Sequence, residues 1–93
     1  MSVTLYFYRA KADQMEAILA LYREWRQLVH EERSVSAELL SRTQDPAEMI
    51  MLVRFEDQAT AWAVAESADY RAWYSRLVHL AEMGPIVSQY EII

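Results

Sequence analysis

The sequence predicts one α+β domain with elements in the order β-α-β-β-α-β. This is the ferredoxin-like arrangement, a four-stranded antiparallel sheet with both helices on one face. Three observations carry that prediction. Apolar residues recur at helical spacing in two separate stretches, around residues 13–32 and 58–82. Four other stretches are rich in β-branched and aromatic residues and read as strands. The two middle strands are joined by so short a turn that a hairpin is the simplest connection.

The elements follow in order. Residues 3–9, VTLYFYR, read as the first strand, with Val3, Leu5 and Phe7 on one parity and Thr4, Tyr6 and Tyr8 on the other. Asp13 is the expected N-cap of a helix over 13–32, with Glu16 as its capping-box partner. Met15, Ile18, Leu19, Tyr22, Trp25 and Val29 form its apolar stripe. Residues 34–42 alternate Val35, Ala37 and Leu39 with Ser36 and Glu38 and read as a second strand. Thr43-Gln44-Asp45-Pro46 is the turn. Residues 48–55, EMIMLVRF, are the most apolar run and the third strand.

Asp57 is expected to cap the second helical region. Ser67-Ala68-Asp69 divides that region into a helix over 58–66 and a longer one over 69–82. Trp62, Tyr70, Trp73, Tyr74, Leu77 and Leu80 recur along it, so much of the chain's aromatic surface gathers here. Gly84-Pro85 is expected to end the helix, and residues 85–93 to form the last strand.

Composition bounds the function. The 93 residues make one domain, and 54% apolar with 25% charged residues marks a globular chain. The net charge of −5 argues against nonspecific nucleic-acid binding, which needs basic surface to neutralise phosphates. With no Cys there is neither a disulfide nor a thiolate site. Two isolated His residues without HxH or HxxxH spacing make a dedicated metal site improbable. The N-terminus lacks the basic-then-apolar pattern of a signal peptide, and no apolar run is long enough to span a bilayer. A cytoplasmic home, no membrane and no cofactor are the expectations.

The first and third strands carry large apolar groups at both parities. A solvated sheet face alternates polar residues, so two helices alone leave an apolar face uncovered. A second copy of the chain packed face to face would cover it, and a C2 homodimer is expected.

The βαββαβ order, the length and the paired-sheet inference resemble the dimeric α/β-barrel proteins, and more closely their antibiotic biosynthesis monooxygenase-like branch. Members of that branch typically place an aromatic at the end of the third strand, then acidic residues, then a helix ending in Ser, then an aromatic. Phe55, Glu56-Asp57, Ser67 and Tyr70 hold those places here. Many members carry a His three residues before that Ser, where this chain has Val64, and a Gly before the second strand, where it has Arg33-Ser34.

The resemblance implies a small cofactor-independent oxygenase acting on a phenolic or polycyclic aromatic in an apolar pocket between helices and sheet. Tyr6, Tyr8, Trp25, Trp62, Trp73 and Tyr74 are the candidate walls of that pocket. Core packing is the plainer role for the same rings. A tyrosine hydroxyl could donate to a ligand carbonyl or phenol. One alternative is a dimer that binds a small molecule without catalysis. Another is haem binding or degradation, where the superfamily uses a helix His and a first-strand Asn; Thr4, Tyr6 and Tyr8 stand on the first strand here. Arg54 is expected to pair with Glu38 or Glu91, and His79 to face solvent.

Overall fold

A computed structural model describes residues 1–27 and 34–93 of the chain. Its elements are β1 (Ser2–Ala10), α1 (Met15–Trp25), β2 (Ser34–Arg42), β3 (Asp45–Phe55), α2 (Gln58–Glu66), α3 (Ala68–Leu80) and β4 (Ala81–Glu91). The four strands form one antiparallel sheet in the order β2-β3-β1-β4. This is the ferredoxin-like fold.

The break between the two helices comes from Ser67. Its backbone is extended, which ends α2, and its hydroxyl oxygen accepts the Tyr70 backbone N–H, which starts α3. Asp57 caps α2 in the same way, accepting the Thr60 N–H at 2.7 Å.

Register decides which strand parity is covered. Tyr6 pairs with Met51 and Tyr8 with Met49, and these four residues join Ile18, Leu21, Trp25, Trp73 and Leu77 in one buried cluster. The even residues of β1 and the odd residues of β3 therefore face the helices. Burying each large side chain of this cluster stabilises the fold by about 1.5–3 kcal/mol. The other parity carries Leu5, Phe7, Ile50 and Leu52, directly paired across β1 and β3 and only half-buried. Arg54 lies at one end of that second face, where it donates to Glu38 of β2 at 2.9 Å.

Three boundaries differ from the sequence expectation. Helix α1 begins at Met15, not at residue 13, and Gln14 occupies the cap position with no side-chain capping bond, so Asp13 does not cap it. The expected extension toward residue 32, with Val29 and His30, lies outside the described residues. Strand β3 begins at Asp45, because only Thr43-Gln44 turn and Arg42 already pairs with Asp45. Pro46 fits there because β1 pairs with β3 only as far as Glu48.

The third difference is at Gly84-Pro85, which does not end a helix. Helix α3 stops at Leu80 and passes directly into β4, where Ala81 pairs with Ala10. Gly84 lies inside β4, at the register shift between Phe7 and Arg9. Its φ is +83°, and a Cβ would sit 2.6 Å from the Phe7 carbonyl oxygen. Close approach to β1, not helix termination, requires glycine here.

Candidate functional site

Tyr6 is the centre of the aromatic region. It projects from the middle of β1 toward the helices, with its ring edge-on to Trp25 (6.1 Å) and to Trp73 (5.8 Å). The two indoles lie 4.5 Å apart and tilted by 50°. Such edge and tilted contacts follow from the negative face and positive rim of each ring. Tyr70 packs on Trp25 and stacks on Tyr74 at 5.9 Å. Trp73 donates its indole N–H to the Leu21 carbonyl at 3.0 Å, which ties α3 to α1. The Trp25 indole N–H is buried and meets no acceptor among the described residues.

The Tyr6 hydroxyl donates to the Tyr70 hydroxyl at 3.2 Å. Burial pushes the Tyr6 hydroxyl well above the ordinary tyrosine range, and its neighbour Tyr70 adds to the shift. Burial also raises Tyr70, against the opposing effect of the Tyr6 bond. Both are therefore protonated at neutral pH. Together they are a hydrogen-bond donor chain whose outer O–H belongs to Tyr70, and neither is a base.

Beside this pair lies a small cavity between sheet and helices, about 30 Å³ in volume. Tyr6 and Tyr70 form one wall; Ala61 and Val64 of α2, Phe55 of β3 and Gln89 of β4 form the others. As it stands it has room for about one water. A more polar cleft of about 360 Å³ adjoins it, and Gln89 lines both spaces.

The six candidate residues divide. Tyr6, Trp25 and Trp73 are brought together in the buried cluster, with Tyr74 packed against its edge through Tyr70. Tyr8 is buried in the same cluster one strand position pair away, and burial raises its hydroxyl as well. Trp62 stands apart: it is 53% exposed, and its indole N–H donates to Gln89 Oε1 at 2.9 Å. Only Tyr6 among the six lines the small cavity. Gln89 is a site residue that sequence reasoning passed over, and Tyr70, though in the aromatic stripe and the family pattern, is not among the six candidate walls. Tyr70 follows the capping Ser67 by three residues, which places it in the first turn of α3 and aims it back at the sheet.

His79 is exposed. Among the described residues no three His, Asp or Glu side chains converge as metal ligands do. No described helix is long and apolar enough to cross a membrane.

No protein-family model and no curated protein matches the sequence. Solved structures do match over the full length. One described as an antibiotic biosynthesis monooxygenase superposes with a TM-score of 0.84 at 15% identity, covering 100% of this chain and 99% of that one. A protein of Nitrosomonas europaea, provisionally described in the same words, gives 0.83 at 21% identity with the same coverage. A third, from Deinococcus radiodurans and described likewise, gives 0.87 at 12% identity over 99% of this chain and 92% of that one. At these identities the likeness is one of fold: the chain has the βαββαβ fold of the structures described as antibiotic biosynthesis monooxygenases.

Proposed function

We propose that the chain is a monooxygenase-like protein of that family, acting without a cofactor on a small phenolic or polycyclic aromatic held between the helices and the sheet. The observation that carries this reading is the Tyr6–Tyr70 hydroxyl pair set against a small cavity of mixed polar and apolar lining, within a fold that matches those structures over its full length. In such a reaction an activated CH₂ carbon of the substrate loses one proton and passes two electrons to dioxygen, and that proton returns to the hydroperoxide that forms on the carbon. The O–O bond then breaks as the second hydrogen leaves the carbon, so that one oxygen atom becomes the new carbonyl and the other leaves as water with both hydrogens. The protein's part would be to exclude water, hold the ring flat and donate hydrogen bonds to the oxygen on which charge develops.

The cavity must widen to accept a ring. Helix α2 is the element suited to yield, since it buries only Ala61 and Val64. Oxygen uptake with a panel of anthrone- and quinol-type substrates tests the reading. Uptake above the protein-free rate, reduced in Tyr70→Phe, is expected. No uptake by the wild-type protein with any of them would sink the enzymatic version.

One observation favours a second reading, a dimer that binds an aromatic without catalysis. Among the described residues, no carboxylate or His lines the cavity, and both tyrosines hold their protons. Binding without oxygen uptake would select it.

In either case we propose a homodimer formed through the open sheet face. Leu5, Phe7, Ile50 and Leu52 make its apolar centre. Arg9 pairs with Asp45 and Glu82 at one end, and Arg54 with Glu38 at the other. An apolar centre with a charged rim is the usual anatomy of a protein interface.

A further inference from the structure

Gln89 occupies a position that the aromatic residues do not explain. On β4 it pairs with Thr4 of β1, whose parity faces the helices, so its side chain rises from the sheet toward α2. It is the shared wall of the inner cavity and the outer polar cleft. Above it, Trp62 of α2 turns its large ring outward and commits its one polar atom to the Gln89 side chain.

That bond has a direction. An indole N–H can only donate, so the group it meets must be the amide oxygen of Gln89. The amide is planar, and once its oxygen is fixed under Trp62 the NH₂ group is turned away from it. Gln89 is exposed, so the two N–H donors of that group are open to water or to a ligand. We propose that Gln89 is a donor of the cavity to an oxygen atom of the ligand, and that Trp62 is the positioning residue that holds its amide in the donating orientation. The inference rests on the aromatic-site reading above and gives it polarity. Tyr70 stands on one wall and Gln89 on another, with Phe55, Val64 and Ala61 as apolar surfaces of the same cavity. Such a site selects flat aromatics bearing a carbonyl or phenolate oxygen over the same rings without one.

The experiment compares two rings that differ in that oxygen, 1-indanone and indane, by NMR titration of the full chain. The readout is the ratio of their dissociation constants. It is taken for the wild type, Gln89→Leu, Gln89→Glu and Trp62→Phe. Gln89→Glu keeps an acceptor for Trp62 but has no donor to offer. Trp62→Phe keeps a ring but cannot fix the amide. In both Gln89 variants the preference for 1-indanone is expected to fall by about tenfold, the size of one hydrogen bond. In Trp62→Phe it should fall by a few-fold, with indane binding unchanged. A preference that stays within twofold of wild type in both Gln89 variants overturns the role of Gln89. So does an equal loss for both rings in folded variants, which would mean a merely structural part. An effect in the Gln89 variants but none in Trp62→Phe overturns the positioning role. If the wild type binds neither ring, the aromatic-site reading fails first and this inference falls with it.

Discussion

Trp73 and Trp62 sit eleven positions apart in one aromatic stretch, and the structure uses them in opposite ways. Trp73 is 3% exposed, locked between Tyr6, Trp25 and Tyr70, with its N–H bonded to the α1 backbone. Trp62 is 53% exposed and reaches a single side chain on β4. Around Trp73, helices α1 and α3 pack through large interlocking rings. Around Trp62, helix α2 packs through small residues and leaves a cavity. The first region holds the fold; the second is the one that would have to widen for the proposed ligand. Density of aromatic residues is therefore no measure of a site. What distinguishes the site is the place where large side chains give way to small ones beside donors.

Truncating each indole in turn should have the greatest effect. Trp73→Ala should cost about 3–5 kcal/mol, enough to unfold many domains of this size. Trp62→Ala should cost at most about 1 kcal/mol, as for an exposed side chain losing one hydrogen bond. Denaturant unfolding of the two variants measures the difference, and equal costs would erase the distinction between the regions.

The open face supplies the next largest effect. Leu52→Lys puts a charge at the centre of the proposed interface and should convert a dimer into monomers in sedimentation at micromolar protein, with loss of apparent stability. A wild-type monomer at that concentration would refute the assembly.

A smaller effect comes from Tyr70→Phe, which removes the acceptor of the Tyr6 hydroxyl and should cost about 1 kcal/mol. The same pair sets an alkaline limit. The folded Tyr6 titrates above the usual tyrosine value, so the stability it contributes is complete below about pH 10 and falls as pH rises further, when the unfolded chain ionises first. Tyr6→Phe should flatten that decline in a pH series of unfolding curves.

The smallest effect separates the regions by acid. The Thr60 N–H holds the Asp57 carboxyl below the usual carboxylate value. The cap on α2 is therefore complete above about pH 4 and is lost as pH falls through the lowered value. Amide hydrogen exchange in α2 should quicken there before that in α1 or α3 does, and Asp57→Ala should quicken it at neutral pH.

Much of the fold was legible because its signals are periodic. The stripe from Met15 to Trp25, the hairpin around Thr43-Gln44 and the break at Ser67 all stand in the structure where spacing and capping chemistry put them. The parity of β1 was not legible, because Leu5 and Phe7 are as apolar as Tyr6 and Tyr8. Only the register against β3 and the helices decides between them. Gly84-Pro85 misled because the pair that ends helices also fits a close crossing of strands, and the Phe7 carbonyl that demands it is far away in sequence. At the site, the place of Trp62 in the aromatic stripe made it a candidate pocket wall, whereas it turns outward and its helix buries Ala61 and Val64 instead. Gln89 could not stand out, since nothing local marks one polar residue of a strand as the partner of an indole on a distant helix.

The tilted Trp25–Trp73 pair has an optical consequence. Two indoles 4.5 Å apart at 50° couple their electronic transitions, so the native chain should show an exciton couplet in circular dichroism. The exposed Trp62 is the third and last indole of the chain and should dominate the red edge of the emission. The couplet reports whether α1 and α3 are docked, and the emission reports the surroundings of Trp62 and its bond to Gln89. One unlabelled protein thus gives separate spectral readings of two parts of its structure.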